Sequence, residues 1–176
     1  MLILALCVVL NGMLFIGLFR RTATVLESVE RYLRAQGVEG LAIGSPLPDF
    51  HVTDDAGHIR ESGGLHDGPF VLLFSEPTCE PCQVLMEELG GQASEEIPFP
   101  VFIVLDEETA QEPAQRPLAF PVLYQSGRQA SQALKTGMRP DAYLIDATKK
   151  VAGRTIPNTV ADLIELTSTK EVTAQG

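Results

Sequence analysis

The apolar run Phe70-Val71-Leu72-Leu73-Phe74, followed closely by Cys79-Glu80-Pro81-Cys82 and a helix-like stretch to Leu89, constrains this chain more than any other feature. So short and apolar a run reads as a buried strand. Two thiols separated by two residues on the first turn of a helix can close into a disulfide. The unsatisfied backbone N–H groups and the helix dipole there stabilise the thiolate of the first cysteine. Proline at the third place suits an early helix position, where its missing N–H costs nothing. With a strand before it and a helix after it, the pair reads as a redox-active dithiol.

Other chemistries of a CxxC fit the sequence less well. A structural zinc site needs about four ligands, yet the only other cysteine is Cys7, in a distant apolar segment. His51, His58 and His66 all precede the motif, with no recurring ligand spacing. No metal and no cofactor are expected. Haem attachment needs histidine directly after the second cysteine, where Gln83 stands. An inert structural disulfide would close so short a loop that it would constrain the unfolded chain little.

The chain has 176 residues, 45% of them hydrophobic, enough for one domain with an appendage. Residues 1–19 carry no charge and would span about 28 Å as a helix, close to the thickness of a bilayer's hydrocarbon core. They read as an uncleaved transmembrane anchor, because neither a basic leading region nor a small-residue cleavage site is evident. Cys7 follows the bulky Leu6, and the apolar run continues past it, so it reads as a buried or lipid-facing thiol. The formal charge is −10, although residues 20–36 hold four arginines against Glu27 and Glu30, leaving the rest more acidic still. Such a domain repels nucleic acid, which is excluded as a partner.

Residues 20–45 divide into an amphipathic stalk, with Val25, Leu26, Val29, Tyr32 and Leu33 at helical spacing, and a linker, Gly37 to Ser45. The folded domain is expected over 46–166. Within it, Phe50 to Thr53 and His58 to Arg60 flank an Asp54-Asp55-Ala56-Gly57 turn as a hairpin. Strands are expected over Phe70 to Ser75, Phe99 to Leu105 and Ala119 to Tyr124, with helices over Cys79 to Leu89, Glu107 to Gln115 and Ser131 to Lys135. A second hairpin joins Ala142 to Asp146 with Val151 to Ile156, and Asn158 caps a last helix through Leu166. Residues 167–176 are polar and read as a disordered tail.

Strand, dithiol helix, strand and a closing hairpin with a helix resemble the thioredoxin layout: an α/β fold with a central mixed sheet flanked by helices, here with an N-terminal transmembrane helix. Gly44-Ser45-Pro46-Leu47-Pro48-Asp49-Phe50 resembles the G-x-x-x-P-D-F entrance of the TlpA/ResA-like branch of membrane-anchored thiol-disulfide oxidoreductases. The Glu80-Pro81 pair is similar to that of ResA-type reductases. Pro140 before Asp141-Ala142-Tyr143-Leu144-Ile145-Asp146 matches the branch's proline, which is cis in that family, and the strand after it. The likeness covers about residues 44–166. It departs at Thr78, where most members have tryptophan; Phe74-Ser75-Glu76-Pro77-Thr78-Cys79 looks closer to the L-S-P-T-C-x-x-C of MauD-like proteins, which assist methylamine dehydrogenase maturation. It departs also at Leu73, where thioredoxins carry a buried acid, so Glu76 or Glu80 is left as the candidate for proton transfer.

The resemblance implies a catalytic pair in which Cys79 attacks and Cys82 resolves. Arg139 and Pro140 would bind the substrate segment, the cis bond placing the Arg139 backbone beside the dithiol, and the Arg139 charge near the dithiol would oppose that of Glu80. Glu80 beside Cys79 disfavours the thiolate and tilts the pair toward reduction of partners, although the direction stays open. Expected partners are protein thiols and disulfides, the membrane through residues 1–19, and a membrane electron donor. A peroxiredoxin would need proline and threonine where Leu72 and Glu76 stand, and a Sco-type copper carrier a histidine after the motif. A non-catalytic tethered binding module, recruiting a partner through its stalk, is the alternative. Arg20 and Arg21 after the span place the domain in the cytoplasm by the positive-inside rule. The resemblance implies a periplasmic or other extracytoplasmic face, and that reading is preferred.

Overall fold

The computed structural model describes residues 40–91, 96–108 and 120–168. The anchor expected over 1–19, the stalk, most of the helix expected over 107–115 and residues 169–176 lie outside them. No helix among the described residues is long and apolar enough to cross a membrane.

Seven strands form one mixed sheet: β1 (His51–Asp54), β2 (Ile59–Glu61), β3 (Phe70–Phe74), β4 (Val101–Asp106), β5 (Val122–Gln125), β6 (Asp141–Ile145) and β7 (Val151–Thr155). Their spatial order is β2-β1-β5-β4-β3-β6-β7. β3, β4 and β5 run parallel, and β1, β2, β6 and β7 are antiparallel to their neighbours. Among the described residues, helices α1 (Glu80–Leu89), α2 (Gln129–Ala133) and α3 (Val160–Ser168) and a short 3-10 turn, Ser62–Gly64, accompany the sheet. α1 lies in the crossover between parallel β3 and β4, as parallel pairing demands.

β3 is apolar throughout because both of its faces are covered. Phe70, Leu72 and Phe74 share one core with Leu123, Ala130, Leu134 and Tyr143, on the face that carries α2. Val71 and Leu73 share the other with Leu85 and Leu89 of α1 and Leu163 and Leu166 of α3. Leu73 thus belongs to the apolar face under α1. Gly153 lets α3 close on the sheet, since a Cβ there would lie 2.8 Å from Leu166 Cδ1.

Both hairpins turn on an aspartate. Asp54 Oδ1 accepts from the backbone N–H of Ala56 and His58, and Asp146 Oδ1 from those of Thr148 and Lys150. Such local acceptors favour turns over continued strands. The bonds from His58 foremost hold the Asp54 carboxyl below its ordinary pKa.

Element ends shift from the sequence reading by a few residues in several places, and three of the differences have a visible physical cause. The expected linker is part of the domain from Gly40 onward: Leu41 packs on the core, and Gly44 N–H donates to Val151 O at 2.7 Å. Val151 N–H donates back to Ser45 O at 2.8 Å, so the segment is strapped to the outer strand β7. α3 begins at Val160, two residues after Asn158. Its first turn is capped by Asp162, which accepts from the N–H of Asn158 (2.7 Å) and Thr159 (2.9 Å), while Glu88 of α1 accepts from Val160 N–H (3.0 Å). Finally, Thr167 and Ser168 are helical, and Thr167 is fully buried.

Candidate active site

The dithiol sits where β3 ends and α1 begins. Cys79 is extended (φ −89°, ψ 113°) and caps α1, its sulfur accepting from Cys82 N–H at 3.3 Å. Glu80 and Pro81 occupy the first helical positions, and Gln83 N–H donates to Cys79 O at 3.0 Å to close the turn. Cys79 and Cys82 are joined in a disulfide, their Cα atoms 5.2 Å apart. Cys79 is partly exposed, whereas Cys82 is 1% exposed. On reduction, the same Cys82 N–H and the helix N-terminus face the Cys79 sulfur and favour its thiolate.

The second wall of the site is the loop before β6. The Arg139–Pro140 peptide bond is cis, Pro140 is buried, and the carbonyl oxygen of Arg139 lies 3.6 Å from Cys79 Sγ. β6 is registered against β3 with Asp141 opposite Phe74, which brings the loop to the end of β3 that feeds the dithiol. Cys79, Cys82, Arg139 and Pro140 are therefore brought together.

The side chain of Arg139 departs from expectation. Its guanidinium turns in over the Phe74 ring, 5.4 Å from the centroid. It donates to Ser131 Oγ at 2.6 Å, Met138 O at 2.9 Å and Thr136 Oγ1 at 3.4 Å. Burial, and then the charge of Arg128, lower its pKa from the ordinary value. Thus the backbone of Arg139, and no donor of its side chain, is what meets the sulfur.

Glu76 Oε1 accepts from Thr78 Oγ1 at 3.1 Å, and Glu80 is exposed on the helix surface. Neither shows a hydrogen bond to a sulfur among the described residues. No group of histidine, cysteine and carboxylate side chains suited to a metal occurs among the described residues.

Sequence reasoning missed a polar network on the α2 side of the sheet. Asp141, fully buried, accepts from Arg154 Nε on Oδ1 at 2.9 Å and from Arg154 Nη2 on Oδ2 at 2.8 Å. Oδ2 also accepts from Thr136 Oγ1. Burial, the largest single influence, pulls the Arg154 pKa down, but the hydrogen bond to Asp141 and the Asp141 charge together outweigh it and raise the pKa. Tyr143 donates to Leu134 O at 2.9 Å, and burial first, with the Asp141 charge, pushes its pKa up to about 12. Gln125, 1% exposed, holds Ser131 by two hydrogen bonds, and Ser131 holds Arg139. A signal was available: an acid opens the otherwise apolar β6, and the hairpin register sets Tyr143 against Arg154, diagonal to Asp141.

No family model matches the chain, and no curated protein matches it. Solved structures do. A Chlorobium tepidum protein assigned as the thiol:disulfide interchange protein DsbE superposes with a TM-score of 0.59 at 23% identity, over 77% of this chain and 99% of that one. The fold is thioredoxin-like. A thio-disulfide isomerase from Thermus thermophilus gives a TM-score of 0.54 at 22% identity, covering 66% of this chain and 87% of that one. The thioredoxin domain of a thiol-disulfide oxidoreductase from Bacteroides vulgatus gives 0.60 at 17% identity, covering 76% and 99%.

Proposed function

We propose that this chain is a thiol-disulfide oxidoreductase that acts on protein disulfides through Cys79 and Cys82. The observation that carries this reading is the asymmetry of the pair. Cys79 is partly exposed and caps α1 with its sulfur, while Cys82 is buried behind it. That arrangement suits an attacking thiol and a resolving one.

In the reducing direction the Cys79 thiolate attacks one sulfur of a substrate disulfide, forms the mixed disulfide and expels the other substrate sulfur as a thiolate. Cys82, deprotonated, then attacks the Cys79 sulfur, forms the Cys79–Cys82 disulfide and expels the second substrate thiolate. Two electrons pass from the dithiol to the substrate, and each released thiolate takes up a proton. A dithiol reductant returns the pair to its reduced form. The backbone of Arg139, held beside Cys79 by the cis bond to Pro140, would pair with an extended substrate segment.

The TlpA/ResA-like and MauD-like motifs support a finer reading: a membrane-anchored enzyme of extracytoplasmic protein maturation, of the cytochrome c biogenesis or methylamine dehydrogenase type. In it, residues 1–19 hold the domain at the membrane, on the periplasmic or outer face, and a membrane electron donor supplies the reductant. A compartment-specific reporter fused to the C-terminus tests the orientation. Activity in a reporter that works only in the cytoplasm would overturn it.

Insulin reduction by the full chain tests the activity itself. Wild type is expected to turn over, Cys82→Ser to accumulate mixed disulfides, and Cys79→Ser to do neither. Absence of turnover together with equal, slow alkylation of both cysteines would leave a non-catalytic binding module.

A further inference from the structure

The two residues that bracket Pro140 both send their side chains into one buried polar network, and the network contains more than a pair of charges needs. Arg139 is tied to Ser131 and Thr136, Asp141 to Thr136 and Arg154, and Thr136 belongs to both sets. Ser131 and Thr136 are 2% and 6% exposed, and Ser131 is fixed in turn by Gln125. Between these anchors runs only the Arg139–Pro140 segment whose carbonyl stands at Cys79 Sγ. Its place is therefore set from the far face of the sheet, through α2 and the loop after it.

We propose that Ser131 and Thr136 are positioning residues: by anchoring the Arg139 guanidinium they hold the Arg139 carbonyl against the Cys79 sulfur and so restrain Cys79 reactivity. This rests on the reading of Cys79 as the attacking thiol. After reduction, the Cys79 S–H can donate to that carbonyl, and a hydrogen bond to the neutral form disfavours ionisation. A carbonyl oxygen also repels a thiolate at that distance. The network thus opposes the helix N-terminus, which favours the thiolate. Release of the carbonyl should make Cys79 ionise more readily.

Charge is kept constant by changing hydroxyls only. Glu76 and Glu80 flank Cys79, Lys135 and Arg139 lie on the loop before β6, and Asp141 and Arg154 lie behind it; all stay in place in Ser131→Ala/Thr136→Val. The readout is the pH profile of Cys79 alkylation in the reduced full chain, followed by peptide mass spectrometry so that Cys82 is scored separately. The double variant is expected to shift the Cys79 midpoint down by about half a pH unit, roughly threefold more thiolate below the midpoint. Thr136→Ser, which keeps the hydroxyl, is expected to match wild type.

An unchanged or raised midpoint in a folded double variant overturns the proposal, whatever happens to its melting temperature. If the double variant does not fold, Ser131→Ala and Thr136→Val alone decide by the same profile: a smaller downward shift supports the proposal, none overturns it. Because alkylation needs no turnover, a failure of insulin reduction would strike the proposed activity and leave this measurement standing.

Discussion

Cys79 and Cys82 share one disulfide, but only the first is partly exposed, and its surroundings pull on its sulfur in opposite directions. The helix N-terminus and the Cys82 N–H favour the thiolate, while the Arg139 carbonyl and the neighbouring Glu80 disfavour it. Glu80 is exposed, so its influence is screened by salt. Glu80→Gln is expected to raise the Cys79 alkylation rate at neutral pH by about twofold at low ionic strength, with the gain fading in about 1 M salt. A gain that persists unchanged in salt would mean that Glu80 acts by another route. Asp141 is a different kind of residue, since it is fully buried and paired with Arg154. Asp141→Ala strands a guanidinium and is expected to cost about 3–5 kcal/mol, whereas Asp141→Leu/Arg154→Met removes both charges and should recover most of that loss. Urea denaturation of the three proteins checks this; a double variant as unstable as the single one would show that the pair's surroundings, and not the lone charge, carry the cost.

Among the elements, α3 depends most visibly on its cap. Asp162 accepts two backbone N–H groups at the start of the helix, and those bonds hold its carboxyl below the ordinary pKa. Its contribution is present at pH above the unfolded-state value of about 4 and is lost as pH falls through the lower folded-state value. Asp162→Ala is expected to cost about 1 kcal/mol at neutral pH and progressively less in acid; melting curves across that range check it, and a cost independent of pH would assign the effect to something other than the carboxylate. The sequence made strands, hairpins and the dithiol helix legible because each has a local cause: the apolar period of β3, the turn aspartates, proline at the start of α1. It placed the cap at Asn158 from residue type alone, whereas the N–H groups of Asn158 and Thr159 are met by the Asp162 carboxylate from inside the helix, a choice that falls to geometry. The Ser131–Arg139–Thr136–Asp141 network stayed hidden for a similar reason. Its members are ordinary polar residues of a short helix, a loop and the start of a strand until β6 is set beside β3 and α2 is placed over that face.

At the scale of the whole molecule, the strap from Gly40 to Leu47 ties the chain's entry to the same side of the sheet as the network behind the dithiol. Ser45 and Gly44 bond to Val151, Leu47 N–H donates to Lys149 O at 2.8 Å, and β7 would otherwise present an unpaired edge. Gly40 is the tightest point. Its φ is +64°, and a Cβ there would collide with the Tyr143 hydroxyl and lie 2.6 Å from Arg154 Cζ. Tyr143 and Arg154 are both held by buried partners and have little room to yield. Gly40→Ala therefore meets two penalties, a left-handed backbone and a steric overlap, and is expected to cost about 1–3 kcal/mol. The change should be spent locally, by lifting the strap, because the atoms nearest a Cβ at Gly40 belong to Tyr143 and Arg154 beneath the strap. Hydrogen exchange of the full chain distinguishes the outcomes: faster exchange at Val151 and Leu47, with β3 and β4 amides unaltered, is the expected pattern. Uniformly faster exchange would show that the strap and the sheet unfold as one unit, and unaltered exchange at Val151 would show that Gly40 does not set the strap's position.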